Sequence, residues 1–289
     1  MIVDTLAKQA FFTTVRIQTA VPGGTSTGTG FVYNVFSDDR FVPVLVTNKH
    51  VIKGATTGTV GFVKGVDGQP VTNEYREVNF GQTFASMWVD HPDPDIDVTV
   101  MPLGPCLNIL DASGFPPFLK SLSSALCPTD ELMADLDVVE DVTFIGYPQG
   151  LVDTANHTPI VRQGITATPI EQDWNGKPQF LIDASVFPGS SGSPVFLLNQ
   201  GTYRVKGNVI VGSRLLFLGI LAAVHHHTAL AEIVEVTVNS QPRAVVQQFM
   251  DLGIVYKWHT VETCIDELCK RYGIDRSAIA EIGPTPDAN

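Results

Sequence analysis

The chain is poor in positive charge, in cysteine and in long apolar runs, and each shortage removes a class of function. Against 30 Asp and Glu stand only 18 Lys and Arg, a formal net charge of −12. Such a surface repels phosphate backbones and anionic lipid unless basic residues are gathered in one run, and no such run occurs. Nucleic acid and membrane are therefore not expected as partners. The longest apolar run, Leu215 to Val224, is ten residues long, where a membrane-crossing helix needs roughly 18 or more; it reads as a buried strand. Asp4, Lys8 and Arg16 break up the first residues, which do not read as an export signal. The four cysteines, Cys106, Cys127, Cys264 and Cys269, follow no regular spacing. Free thiols in a reducing, cytoplasmic setting fit this better than a disulfide framework. No spaced Cys/His set of the kind that holds zinc is present either, so no metal and no cofactor is expected.

What the chain does have is 44% hydrophobic residues against 17% charged, enough for one large domain or two small cores. It also has one unusual turn. Phe187-Pro188-Gly189-Ser190-Ser191-Gly192-Ser193-Pro194 lies between the apolar runs Phe180-Leu181-Ile182 and Val195-Phe196-Leu197-Leu198. A serine among glycines in a sharp turn between strands exposes its hydroxyl and leaves backbone N–H groups pointing outward, a nucleophile beside an anion site. Ser190, Ser191 and Ser193 are the candidates. Such a serine needs a base and a carboxylate to orient that base. His50 stands where the apolar strand Phe41-Val42-Pro43-Val44-Leu45-Val46 gives way to Thr47-Asn48-Lys49, a strand mouth where a side chain can face a cleft. The stretch His91-Pro92-Asp93-Pro94-Asp95-Ile96-Asp97 offers three carboxylates; Asp93, between prolines, reads as a solvated turn.

Short apolar strands surround these motifs. Gln9 to Thr19, Gly28 to Tyr33, Phe41 to Val46, Gly58 to Val63, Arg76 to Phe80 and Val98 to Met101 suggest a small barrel. Pro105, Pro116, Pro117 and Pro128 break that rhythm. A second set follows: Val138 to Ile145, Ile160 to Thr168, Gln179 to Ile182, Ser193 to Leu198, Tyr203 to Val211 and Leu215 to Val224. The expected organisation is thus a barrel over 1–103 carrying His50 and Asp97, a linker over 104–136 with a helix around Asp130 to Leu136, a barrel over 137–238 carrying Ser191, and a helical extension over 239–289. In that extension Val245, Val246, Phe249 and Met250 predict a helix stopping at Gly253. Val261 to Tyr272 predict a second, stopping at Gly273, and Asp275 to Ile282 a third.

Gly28-Thr29-Gly30-Phe31, Val46-Thr47-Asn48-Lys49-His50-Val51, Asp97-Val98-Thr99-Val100, Gly146-Tyr147-Pro148 and Pro188-Gly189-Ser190-Ser191-Gly192-Ser193-Pro194 occur in the order found in chymotrypsin-fold, trypsin-like serine peptidases. The stretch from Gln9 to Val224 resembles them, most of all the bacterial, disulfide-free, HtrA-like branch. The resemblance implies an all-β fold of two six-stranded antiparallel barrels of the chymotrypsin type, with a C-terminal helical extension added. It implies a serine endopeptidase acting on protein or peptide substrates through an acyl-enzyme. It places the nucleophile at Ser191, the base at His50, the acid at Asp97 rather than Asp95, and the oxyanion donors on the backbone of Gly189 and Ser191. The specificity pocket falls along Ser185, Leu221, Ala222, Ala223 and Val224, and with Ser185 at its base small or medium apolar residues are expected before the scissile bond. Ser190 replaces the aspartate with which activation-dependent relatives capture a freed N-terminal amine. Control is expected instead from loops such as Gln149 to Thr158, or from a regulatory protein docking on the C-terminal helices.

A second class of function stays open: a catalytically weak chymotrypsin-like module that binds peptides or serves as a scaffold. Two further patterns carry less. His225-His226-His227 alternate across a strand and lack the additional ligand a zinc site needs. Leu268 to Ile282 have the spacing of a helix-turn-helix, but Asp275 and Glu281 leave Arg276 as a poor phosphate-facing surface.

Overall fold

Thr5 is extended, and its hydroxyl accepts the Lys8 N–H at 3.3 Å, an N-cap that starts helix α1 (Leu6–Phe11). The aromatic run there suggests a strand from Gln9. In the structure, a computed structural model that describes residues 1–37, 40–226 and 249–276, the strand begins only after the helix ends.

The first half contains β1 (Thr14–Val21), β2 (Gly24–Ser37), β3 (Arg40–Thr47), helix α2 (Lys49–Ile52), β4 (Thr57–Val66), β5 (Gln69–Asn79), β6 (Val89–Asp90) and β7 (Thr99–Pro102). In space the strands run β5-β4-β1-β2-β3-β7-β6. This corrects the expectation of a six-stranded barrel: among the described residues the first half is a seven-stranded sheet that does not close. The last strand is too short to close it, pairing only Val89 with Val100 and Asp90 with Thr99. Just beyond it, Pro92 and Pro94 have no N–H to give a ladder. Between β5 and β6 the chain coils into a 3-10 turn, Gly81–Met87, that buries Phe84 under the sheet instead of adding a strand.

Helices α3 (Gly104–Ala112) and α4 (Asp130–Met133) follow; the second, capped by the Thr129 hydroxyl, lies where the sequence predicts a helix. The second half is a closed barrel. It is built from β8 (Asp141–Gly146), β9 (Ile160–Thr166), β10 (Gln179–Asp183), β11 (Pro194–Asn199), β14 (Arg214–His226) and β15 (Phe249–Lys257) in the order β10-β15-β14-β11-β8-β9. It closes where Ile182 and Asp183 meet Thr166 and Ile165. Between β11 and β14 a hairpin, β12 (Thr202–Val205) and β13 (Asn208–Val211), projects from the barrel; the sequence pattern treats it as one strand.

The C-terminal expectation is half right. Phe249 to Gly253 are strand, not helix: β15 pairs with β10 on one side and β14 on the other and completes the barrel. Helix α5 (Trp258–Tyr272) then runs as predicted and ends at Gly273, whose φ of 64° takes the left-handed turn that glycine permits. The predicted helix from Asp275 lies almost wholly outside the described residues, and so do Val245 and Val246 of the first predicted helix and His227.

Helix α5 joins the two halves. Val261, Cys264, Ile265 and Leu268 share one cluster with Phe31, Val46 and Val98 of the first half and Phe196, Phe217 and Ile220 of the barrel. Each such side chain contributes roughly 1.5–3 kcal/mol by leaving water. The Tyr33 hydroxyl, driven far above its usual range by burial, donates to Glu262. Arg276 pairs with Glu262 and Asp266. All four cysteines are free thiols.

Candidate active site

The last residues of β3 lead to His50, the candidate base. Asn48 is extended and fully buried, and its Nδ2 donates to the backbone carbonyl of Asp97 at 2.6 Å. One turn of α2 then lifts His50 to the surface, its side chain 46% exposed. Asp97 meets it at two points: Oδ1 accepts the His50 backbone N–H at 3.0 Å and Oδ2 lies 2.5 Å from Nδ1. An ionised carboxylate only accepts, so the imidazole proton belongs on Nδ1 and Nε2 is left with a free lone pair. Asp95 turns away to Lys177, with its side chain 70% exposed. Asp93 Oδ1 accepts the Asp95 N–H at 2.9 Å, a link internal to the loop. Lys49 Nζ holds the carbonyls of His91 and Asp93 at 3.1 and 3.0 Å, and the Tyr256 hydroxyl holds that of Asp95 at 3.1 Å. Burial keeps His91 below the usual histidine range, and its Nδ1 accepts the Asp93 N–H at 3.0 Å.

The serine turn sits between β10 and β11. Ser190 N–H bonds Phe187 O, Ser193 N–H bonds Ser190 O, and Gly192 N–H bonds Leu221 O, at 3.0, 3.0 and 2.8 Å. The N–H groups of Gly189 and Ser191 find no acceptor among the described residues, which leaves two donors for an anion. Gly192 has φ 88°, and a Cβ on it would lie 1.8 Å from Thr29 O, so only glycine fits. Of the three serines, Ser190 and Ser193 are buried, their hydroxyls without a partner among the described residues, and Ser191 is partly exposed. Ser191 Oγ donates to Ala222 O at 2.9 Å, not to His50. His50 and Asp97 are thus joined, while Ser191 rests on the neighbouring strand.

A family model described as a trypsin-like peptidase domain matches residues 28–203. The chain belongs to that family. Solved structures of similar fold include the HtrA-type protease AlgW with a tripeptide, 16% identical, covering 93% of this chain and 63% of that one with a TM-score of 0.49. A serine endoprotease from Yersinia pestis is 17% identical over 94% of this chain and 69% of its own, with a TM-score of 0.45. A protease from M. tuberculosis in its active form is 19% identical over 89% and 81%, with a TM-score of 0.42. This chain therefore spans 63% of the length of the HtrA-type protease. Curated sequences give no match.

Within this trypsin-like peptidase domain the expected pocket residues fare unevenly. Leu221 is fully buried in the barrel core with Ile182, Val186 and Val255, so its side chain supports the wall from behind rather than facing a cleft. Ala222 borders the turn through its carbonyl, and Ser185 is partly exposed at the turn's entry. For Ala223 and Val224 the backbone is described, pairing with Ile254 and Gly253. The sequence reading missed Gly253, taking it for a helix stop. On β15 it faces Val186, whose Cγ2 would lie 2.9 Å from an added Cβ, and it brings that strand flush against the segment before the turn. Missed too was any role for Thr29, visible in the sequence only as a hydroxyl between two glycines.

Proposed function

We propose that the chain is a serine endopeptidase that hydrolyses peptide bonds of protein substrates through Ser191, His50 and Asp97. The observation that carries this reading is the two-point hold of Asp97 on His50, in a chain whose serine turn leaves two backbone donors unengaged. In the reaction, Ser191 Oγ turns from Ala222 O to Nε2 and attacks the substrate carbonyl, and its proton passes to Nε2. The electron pair displaced onto the carbonyl oxygen is met by the N–H groups of Gly189 and Ser191; each such donor is typically worth ~10²–10³ in turnover. Collapse breaks the C–N bond, and the amine leaves with the proton from Nε2. Water, deprotonated by the same nitrogen, then releases the acyl group. Asp97 holds the imidazole in the tautomer this needs and stabilises its cation.

Ser185, partly exposed at the entry to the turn, brings no charge there, which supports a preference for small or medium apolar residues before the scissile bond. The four free thiols support residence in a reducing compartment. Because the apolar face of α5 is already buried in the shared core, a regulator acting there would meet its polar face, around Asp266 and Lys270. The second reading, a catalytically weak peptide-binding module, is favoured by one observation, the Ser191 hydroxyl resting on Ala222 O.

Labelling by a fluorophosphonate probe separates the two. The endopeptidase reading expects wild type and Ser193→Ala to label and Ser191→Ala not to. Folded wild-type protein that captures peptides without labelling would establish the module instead.

A further inference from the structure

Thr29 stands on β2 between Gly28 and Gly30 and is fully buried. Its backbone N–H donates to Ser191 O at 2.9 Å, and its carbonyl accepts the Thr47 hydroxyl at 2.7 Å, three residues before His50. Its own hydroxyl both donates and accepts: it gives its proton to Gly189 O at 3.0 Å and receives the Tyr147 N–H at 2.9 Å. One side chain of the first half is thus bonded to two separate segments of the second, the serine turn and the loop after β8.

The geometry points to Thr29 as the residue that positions the N–H of Gly189, one of the two donors of the turn, by holding the peptide after it and the loop that grips the peptide before it. A trans peptide aims its N–H opposite its own carbonyl, so the Gly189 and Ser191 donors face outward only while Pro188 O and Ser190 O are held behind, and the carbonyls of Gly189 and Ser191 fix the peptides that alternate with them. Each is held. Gln149 N–H bonds Pro188 O at 2.5 Å, Thr29 Oγ1 bonds Gly189 O at 3.0 Å, Ser193 N–H bonds Ser190 O at 3.0 Å and Thr29 N–H bonds Ser191 O at 2.9 Å. The Gly189 carbonyl is the one most able to swing, because glycine at φ 89° pays no steric penalty for either orientation. The Thr29 hydroxyl restrains its oxygen, and the Ser190 N–H at the other end of the same peptide bonds Phe187 O at 3.0 Å. The same hydroxyl anchors Tyr147, two residues before the Gln149 N–H that fixes Pro188 O. Without it the Gly189–Ser190 peptide keeps only its Ser190 N–H bond and the loop that grips Pro188 O loses its anchor at Tyr147, so the Pro188–Gly189 peptide is freed to turn its N–H away from the site. Thr29 touches no reacting atom; it acts through the turn.

This rests on the endopeptidase reading above, and the test keeps the two apart. Fluorophosphonate labelling is followed against probe concentration for wild type, Thr29→Val and Thr29→Ser. Removing the hydroxyl in Thr29→Val is expected to lower the saturating rate ~10²-fold, the size of one lost donor, while half-saturation stays within about threefold. Thr29→Ser keeps both bonds and should stay within about threefold of wild type in both quantities. A cooperatively melting Thr29→Val that labels as fast as wild type overturns the role of Thr29 and leaves the function standing. Should the valine variant fail to fold, the serine variant decides: a roughly hundredfold loss there would mean that packing of the methyl, not the hydroxyl, is what matters. Wild-type protein that does not label at all removes the function and, with it, this role.

Discussion

His50 and Asp97 come from one sheet and Ser191 from the barrel, and the two sides are held differently. His50 and Asp97 are fixed largely by neighbours in their own half: Asn48 on the Asp97 carbonyl, Asp97 on both nitrogens of His50 that face it, and Lys49 on the loop before Asp97. The serine turn depends on the other half, through the backbone and hydroxyl of Thr29. The first side is organised locally, whereas the second is completed by docking. Ordering of the serine turn and association of the two halves are therefore coupled.

The comparison can be tested from its strongest point down. Asp97→Asn presents an amide where the imidazole needs an acceptor and should impose the wrong tautomer, lowering the labelling rate ~10⁴-fold with little change in melting; Asp95→Asn, outside that grip, should label like wild type. Gly192→Ala drives a Cβ toward Thr29 O at the seam and should cost about 3 kcal/mol or more in urea unfolding, with loss of labelling, because it parts the halves. Arg276→Met leaves Glu262 mostly buried beside Tyr33 without its cation. A loss of about 2 kcal/mol in the same measurement is expected, with the labelling rate of the folded fraction unchanged.

The smallest effect concerns pH. Burial depresses the folded pKa of His91, and of His259 on α5, so the native state prefers both neutral. Their contribution is fully present above the usual histidine value of about 6.5 and declines as pH falls below it toward the depressed folded values. A melting series from neutral to mildly acid buffer should show wild type losing more than His91→Gln. Equal losses would mean that His91 does not hold the loop before Asp97 through its neutral form.

The turn around Ser191, the strand mouth at His50 and the choice of Asp97 over Asp95 could all be read from the residues and the resemblance, because their chemistry is local and their order constrained. What escaped depended on partners distant in sequence. The apolar run from Phe249 to Tyr256 suits a helix or a buried strand equally by pattern, and only the open edges of β10 and β14 decide it. Asp67-Gly68, at φ 49° and 70°, forms a two-residue hairpin turn between Val66 of β4 and Gln69 of β5. Lys206-Gly207 does the same between β12 and β13. The first barrel failed to close for a reason no strand propensity reveals: the piece that would close it is a 3-10 turn followed by two residues of strand. Thr29 looked like an ordinary strand residue because its four partners are scattered from Thr47 to Ser191.

The order of these elements along the chain has a consequence for synthesis. β15 closes the barrel and α5 joins the halves, and both are translated after His50, Asp97 and Ser191. While the ribosome is still adding them, β10 and β14 each lack one of their two neighbours and the shared core lacks its helix, so the barrel cannot yet close. Under the endopeptidase reading, competence would then await β15 and α5, a built-in interval between making the site residues and using them.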